Sequence, residues 1–92
     1  MIKSIKHKGL KRLVEKDDPS KLPAQHARKI KLMVEILNAV NSINAIKIPG
    51  GHLHPLTGDK KGYWALSITG NYRLTFRLED DGFYDLNFED YH

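Results

Sequence analysis

The chain predicts an α+β fold of order β-α-α-β-β-β, two helices packed on one face of an antiparallel sheet. Three features of its patterning carry that expectation. Apolar residues of the first half recur with the helical period. Those of the second half alternate strictly with polar ones. Short turn-forming stretches separate the alternating runs, so that consecutive runs pair as hairpins.

Taken in order, "MIKSIK" sets Ile2 and Ile5 among lysines and reads as a short edge strand, whose cations would discourage edge-to-edge pairing. From Gly9 to Lys16, Leu10, Leu13 and Val14 fall at i, i+3 and i+4 and make one apolar stripe on a short helix, which "DDPS" ends. Pro23 suits the first turn of a second, longer helix. There Ala27, Ile30, Met33, Val34, Leu37 and Val40 hold a helical period to about Asn41. "SINAIKIPGG" is ambiguous between a helical turn and extended chain, and Pro49-Gly50-Gly51 closes it.

Beyond the loop the period becomes two. Trp64, Leu66 and Ile68 form one apolar row, Tyr72, Leu74, Phe76 and Leu78 a second, and Tyr84, Leu86 and Phe88 a third. With "TGN" and "EDDGF" as connections, the three strands form a meander. Keeping Leu78 and Tyr84 opposite each other on the core side puts Leu74 opposite Phe88, Tyr72 opposite Asp90 and Arg73 opposite Glu89. Asn71, Arg73 and Tyr91 then gather at one end of the face turned away from the core.

A chain of 92 residues suits a single domain spanning 1–92, with a core of modest size. No apolar run approaches the roughly 20 residues of a membrane span, and "MIKSIKHKGL" lacks the apolar segment of a signal peptide, so a cytoplasmic protein without a membrane partner is expected. The absence of cysteine excludes disulfides, thiolate metal sites and cysteine nucleophiles. The net charge of +4 is unevenly spread: residues 1–47 carry eleven Lys/Arg against four Asp/Glu, residues 48–92 four against seven. A basic helical half suits an anionic partner such as RNA, although lysine-rich amphipathic helices also simply keep a small protein soluble.

"GHLHPLTGDKKGYW" gathers His52 and His54 beside the cations Lys60 and Lys61, and the sequence closes on "EDYH". Two histidines two apart, with His92 as a third ligand, could chelate a metal. No HExxH or comparable set accompanies them, and no metal or cofactor is expected. Phosphate loops, dinucleotide fingerprints and nucleophile elbows are equally missing from the sequence. The remaining groups suit phosphodiester transfer within RNA, which needs a base for the 2′-hydroxyl, a cation for the phosphate and an acid for the 5′ leaving oxygen. His54, Arg73, Asp90, Tyr91 and His92 contain those parts. Each also has an ordinary structural explanation, Arg73 as the ion-pair partner of Glu89 among them.

"MIKSIKHKGL", "LHPLTGDKKGYWAL", "NYRLTF" and the closing "EDYH" together resemble the HigB toxins, or plasmid-maintenance killer proteins, of the RelE/ParE superfamily. The similarity runs through essentially the whole chain. It implies a RelE-like fold and a ribosome-dependent endoribonuclease that cuts mRNA in the decoding site of the small subunit. It also implies neutralisation by a helix-turn-helix antitoxin of the HigA kind, through which alone the toxin would meet operator DNA. Carried over by position, the family's "HPL" histidine is His54, its "N-x-R" pair is Asn71 and Arg73, and its "DYH" is Asp90, Tyr91 and His92.

One departure is Thr57, where family members often carry lysine, leaving Lys60 or Lys61 to supply that cation or the reaction to run more slowly. On this resemblance His54 and His92 exchange protons with the 2′-oxygen and the leaving group, and Arg73 holds the phosphate. Asp90 orients a neighbour and Tyr91 stacks on a base, while Lys6, Lys8, Lys11 and Arg12 dock on ribosomal RNA. The competing expectation is a toxin of the same fold without nuclease activity, either a gyrase inhibitor or a module that acts only as an antitoxin-bound co-repressor.

Overall fold

The computed structural model describes residues 1–90. Its elements are α1 (Lys8–Lys16), α2 (Ala27–Ala39) entered through a 3-10 turn at Ala24–His26, β1 (His54–Pro55), β2 (Tyr63–Ser67), β3 (Tyr72–Glu79) and β4 (Gly82–Asp90). The four strands form one antiparallel sheet in the order β1-β2-β3-β4. Both helices cover one face of it. Among the described residues no helix is long and apolar enough to cross a membrane.

Each helix sits where its apolar stripe demands. Leu10 and Leu13 of α1, and Ile30, Met33, Val34 and Leu37 of α2, are buried against Leu66, Ile68, Leu74, Phe76, Phe83 and Leu86 of the sheet. Val14, expected on the α1 stripe, stays largely exposed. Lys29 ties α2 to the β2–β3 turn, its ammonium donating to the Ile68 carbonyl at 2.5 Å.

Two elements differ from the expectation. The first strand is reduced to isolated parallel bridges on the edge of β4, Ile2 with Phe83 and Ile5 with Leu86. Lys3 and Lys6 donate to the carbonyls of those two residues at 2.7 and 2.8 Å, and Gly82 is needed beside them because a Cβ there would lie 2.5 Å from the Met1 carbonyl. A short strand also appears at His54–Pro55, where a loop was expected, and it covers the free edge of β2.

The register between β3 and β4 agrees with the expectation at one end and departs from it at the other. Tyr72–Asp90, Arg73–Glu89 and Leu74–Phe88 pair as expected, but Leu78 faces Phe83, and Tyr84 faces Arg77. A bulge accounts for this, since β4 sets both Asp85 and Leu86 against Phe76, with Asp85 in the left-handed region at φ 55°. The extra residue puts Phe83 in the core, where its ring meets Phe76 at 4.9 Å, and turns Tyr84 to the opposite face.

His7 holds the start of α1. Its Nδ1 accepts the N–H groups of Gly9 and Leu10 at 3.0 and 3.3 Å, and its ring lies edge-on to Phe88 with centroids 5.5 Å apart. Gly9 leaves room for that ring, because a Cβ there would come within 2.9 Å of it. Burial holds the imidazole below its ordinary pKa of 6.5, and only the neutral ring can accept. The cap is therefore complete above that value and is lost as pH falls through the lowered one. Unfolding free energy should fall between neutral and mildly acid pH from this source. Urea melts of His7→Asn, which caps without titrating, should lose that part of the pH dependence.

Candidate functional site

Antiparallel partners point to the same side of a sheet, so the register sorts the outer face into rows. His54, Ala65, Thr75 and Asn87 form one row, and Ser67, Arg73 and Glu89 the next. On the other side of the His54 row lie Tyr63, Arg77 and Tyr84. His54 and Arg73 thus share a face, two strand spacings across the sheet and one row along it, about 12 Å between their backbones. An imidazole and an arginine can reach across that span to one phosphodiester.

His54 is exposed, and its ring is fixed by the chain before it. Nδ1 lies 2.7 Å from the His52 carbonyl oxygen, which can only accept, so Nδ1 carries the proton and the neutral ring presents Nε2 as a base. His52 holds that carbonyl in place from a left-handed backbone conformation, φ 49°. Asn71 is exposed in the β2–β3 turn, its N–H donating to Thr69 Oγ1 at 3.2 Å, immediately before the strand that carries Arg73.

Arg73 is not a loose surface cation. Its Nε and Nη2 both donate to Oε1 of Glu89 at 3.1 Å, and the two side chains are only 21% and 23% exposed. Oε2 of the same carboxylate accepts from Thr75 Oγ1 at 3.1 Å and from Asn87 Nδ2 at 3.4 Å. Thr75 is buried, although it lies on the outer face. Sequence reasoning weighed Glu89 only as a pairing partner and passed over Thr75 and Asn87. They occupied ordinary polar positions of alternating strands, and nothing in their spacing set them apart.

The other candidates are placed as follows. Asp90 is exposed at the end of β4, and its pairing with Tyr72 puts it on the helix-bearing side of the sheet, not on the Arg73 face. That side is lined by a row of rings: His7, Phe88, Tyr72 and His26 follow one another at centroid separations of 5.5, 5.1 and 5.5 Å. Tyr91 and His92 lie outside the described residues. Lys60 ends the 3-10 turn that follows Thr57 and Lys61 comes directly after it; the Lys60 ammonium sits 5.3 Å from the centre of the Tyr63 ring, toward the Arg77 row. Thr57 is exposed and its side chain caps nothing.

The basic residues of the first half cluster around α1. His7, Lys8, Lys11, Arg12, Lys16 and Lys21, with the one carboxylate of Glu15, line a groove of about 500 Å³. Lys6 precedes it at the end of the edge segment. Arg12 is committed to Asp18 at 2.5 Å, and the guanidinium, with the Ser20 N–H, holds that carboxyl down at a pKa of about 2.

A family model described as the RelE-like toxin of the type II toxin–antitoxin system HigB matches residues 3–92. The chain belongs to the HigB-like toxin family. It is 42% identical over 92 residues, the full length of both chains, to a protein of Proteus vulgaris named Endoribonuclease HigB. Two solved structures of YafQ from E. coli share the fold. A single-site mutant superposes with a TM-score of 0.66 at 19% identity, and the protein of strain BL21(DE3) with 0.64 at 17%, each covering 98% of this chain and 91% of the other.

Within this HigB-like chain, Arg73 and Arg77 share a strand face but not their surroundings. Arg77 is bound to Asp85 at 3.3 Å, to Glu79, and against the Tyr84 ring with 5.0 Å to its centroid. Arg73→Ala should lift the growth arrest caused by induction almost fully, about a hundredfold loss of the underlying activity. Arg77→Ala should stay toxic and lose little stability, since its partners are half exposed. Colony counts on induction, with thermal melts of both proteins, check the contrast.

Proposed function

We propose that this endoribonuclease toxin cuts mRNA held in the decoding site of the ribosome, by metal-free phosphodiester transfer. The carrying observation is His54, fixed as the Nδ1–H tautomer with Nε2 presented on the face that holds Arg73. In the reaction the 2′-oxygen attacks phosphorus, the 5′ oxygen leaves, and one histidine takes the 2′ proton while another gives a proton to the leaving group. His54 Nε2 is suited to the first task and His92 is assigned the second. Arg73 takes the charge on the phosphate, Asn71 and Lys61 contact the RNA, Asp90 orients a neighbour and Tyr91 stacks on a base.

What the outer face offers to free RNA supports this reading of a ribosome-held substrate. Among the described residues its tyrosines are engaged beside carboxylates: Tyr63 donates to Asp85 at 3.3 Å and Tyr84 to Asp81 at 2.8 Å, with Glu79 close by. Aromatic rings flanked by negative charge repel the phosphates that accompany any stacked base. A decoding centre that presents the codon already splayed supplies the orientation this face lacks. The basic groove along α1 is suited to ribosomal RNA. The partner in the type II system is a HigA-like helix-turn-helix antitoxin, through which the toxin contacts operator DNA.

Incubation of purified protein with mRNA, free and on programmed ribosomes, followed by mapping of RNA ends, tests this. Cleavage is expected on the ribosome, with free RNA nearly intact; efficient cutting of free RNA at physiological salt would recast the protein as an autonomous ribonuclease. Reversing Lys8 and Lys11 to glutamate should weaken ribosome binding at least tenfold without altering the cut at saturation. Thr57→Lys should leave the fold unchanged and preserve or raise the rate, because the exposed threonine has no cap to lose and a cation beside the phosphate is gained.

A further inference from the structure

We propose that Glu89 is a positioning residue of the cleavage site, setting the guanidinium of Arg73 in the orientation in which it meets the scissile phosphate. This rests on the assignment of Arg73 to that phosphate. The geometry that points to it is an asymmetry in how Glu89 divides its two oxygens. Oε1 takes Nε and Nη2 of Arg73, both at 3.1 Å, so it holds one edge of the planar fork. Oε2 takes Thr75 at 3.1 Å and Asn87 at 3.4 Å, so the carboxylate itself is anchored by side chains of two strands.

A guanidinium held along one edge has its plane fixed, and with it the direction of its remaining donors. The alternative, a simple surface ion pair, fits poorly. Such pairs are exposed and hold neither partner in one geometry, whereas these two are mostly shielded and directly opposite across β3 and β4. The comparison lies on the same face: Arg77 is 36% exposed and divided among Glu79, Asp85 and the ring of Tyr84. A second consequence is electrostatic. A carboxylate beside Arg73 lowers the local positive potential, so it disfavours RNA binding slightly while it orients the cation for the transition state.

Those two effects separate in kinetics. Glu89→Gln keeps the length and an acceptor for Thr75 but removes the charge and the firm hold on Arg73. Cleavage on programmed ribosomes should lose about tenfold in kcat, as for other supporting partners of a reactive group, with KM unchanged or lower. In a folded Arg73→Ala background, Glu89→Ala should cost nothing further, because Glu89 acts only through Arg73. Thermal melts establish that each protein is folded, and Glu89→Gln carries the test if the alanine variant does not fold. A folded Glu89→Gln with full kcat beside an impaired Arg73→Ala overturns the inference alone, as do additive losses in the double variant. An Arg73→Ala protein that cleaves at the wild-type rate overturns the assignment of Arg73, and the inference with it.

Discussion

The antiparallel ladder between β3 and β4 is the longest in the molecule, and the bulge within it divides a structural end from a candidate catalytic end. Side chains alternate along each strand, so one extra residue exchanges the faces of everything beyond it. Leu74–Phe88 and Arg73–Glu89 lie on one side of the bulge, Leu78–Phe83 and Arg77–Tyr84 on the other. Because Asp85 adopts a left-handed conformation, both Phe83 and Leu86 reach the core although they stand three positions apart, and the edge segment pairs with the backbone of those same two residues. The position of the N-terminus, and hence of α1, is set by the bulge.

The two ends use the same residue types for different purposes. At the turn end, Arg77, Glu79, Asp81, Asp85, Tyr63 and Tyr84 form a half-exposed polar network whose ion pairs contribute little individually and whose excess of carboxylates disfavours RNA. At the opposite end Arg73 and Glu89 are shielded and anchored by Thr75 and Asn87, and their geometry is held against competition from water. The sequence positions of the two arginines differ by a multiple of the strand period, so alternation alone assigns them the same face and cannot distinguish them. What distinguishes them is the company each keeps across the strands.

That limit describes what sequence could and could not show. The helices were legible because Leu10 and Leu13, and Ile30, Met33, Val34 and Leu37, recur at spacings that only a helix brings to one side. The pairing at the Arg73 end was expected correctly but from a Leu78–Tyr84 pair that does not form; the one-residue bulge offsets the one-residue error at the turn. The bulge itself was not legible, because Phe83 and Tyr84 are adjacent aromatics and either could serve the core; the sequence contains no residue that must create the extra step. Nor was the strand at His54–Pro55, since two residues carry no period and proline argues against a ladder. Parallel pairing of the edge segment was hidden for a related reason, as alternation fixes a face but not a direction. Of the candidates named from chemistry and the family resemblance, His54 and Arg73 share the outer face, whereas Asp90 lies on the other side of the sheet. Glu89, Thr75 and Asn87 were passed over because a hydrogen-bond network exists only once the strands are in register.

The row of rings from His7 through Phe88 and Tyr72 to His26 gives the basic helix a fixed relation to the sheet. His7 caps α1, the helix that lines the basic groove, and packs on Phe88, two residues before Asp90 in β4. Phe88 in turn lies opposite Leu74, the neighbour of Arg73 in β3. A shift of α1 relative to the strand end would have to break either the cap or the ring contact, both of which are partly buried and directional. A toxin that docks on RNA through one surface and cuts it with another needs the two surfaces at a constant separation, because a misplacement of about 1 Å at a reacting centre can cost a hundredfold in rate. In this fold a single histidine, held below its ordinary pKa by burial, both caps the basic helix and packs on the strand that pairs with the one carrying Arg73.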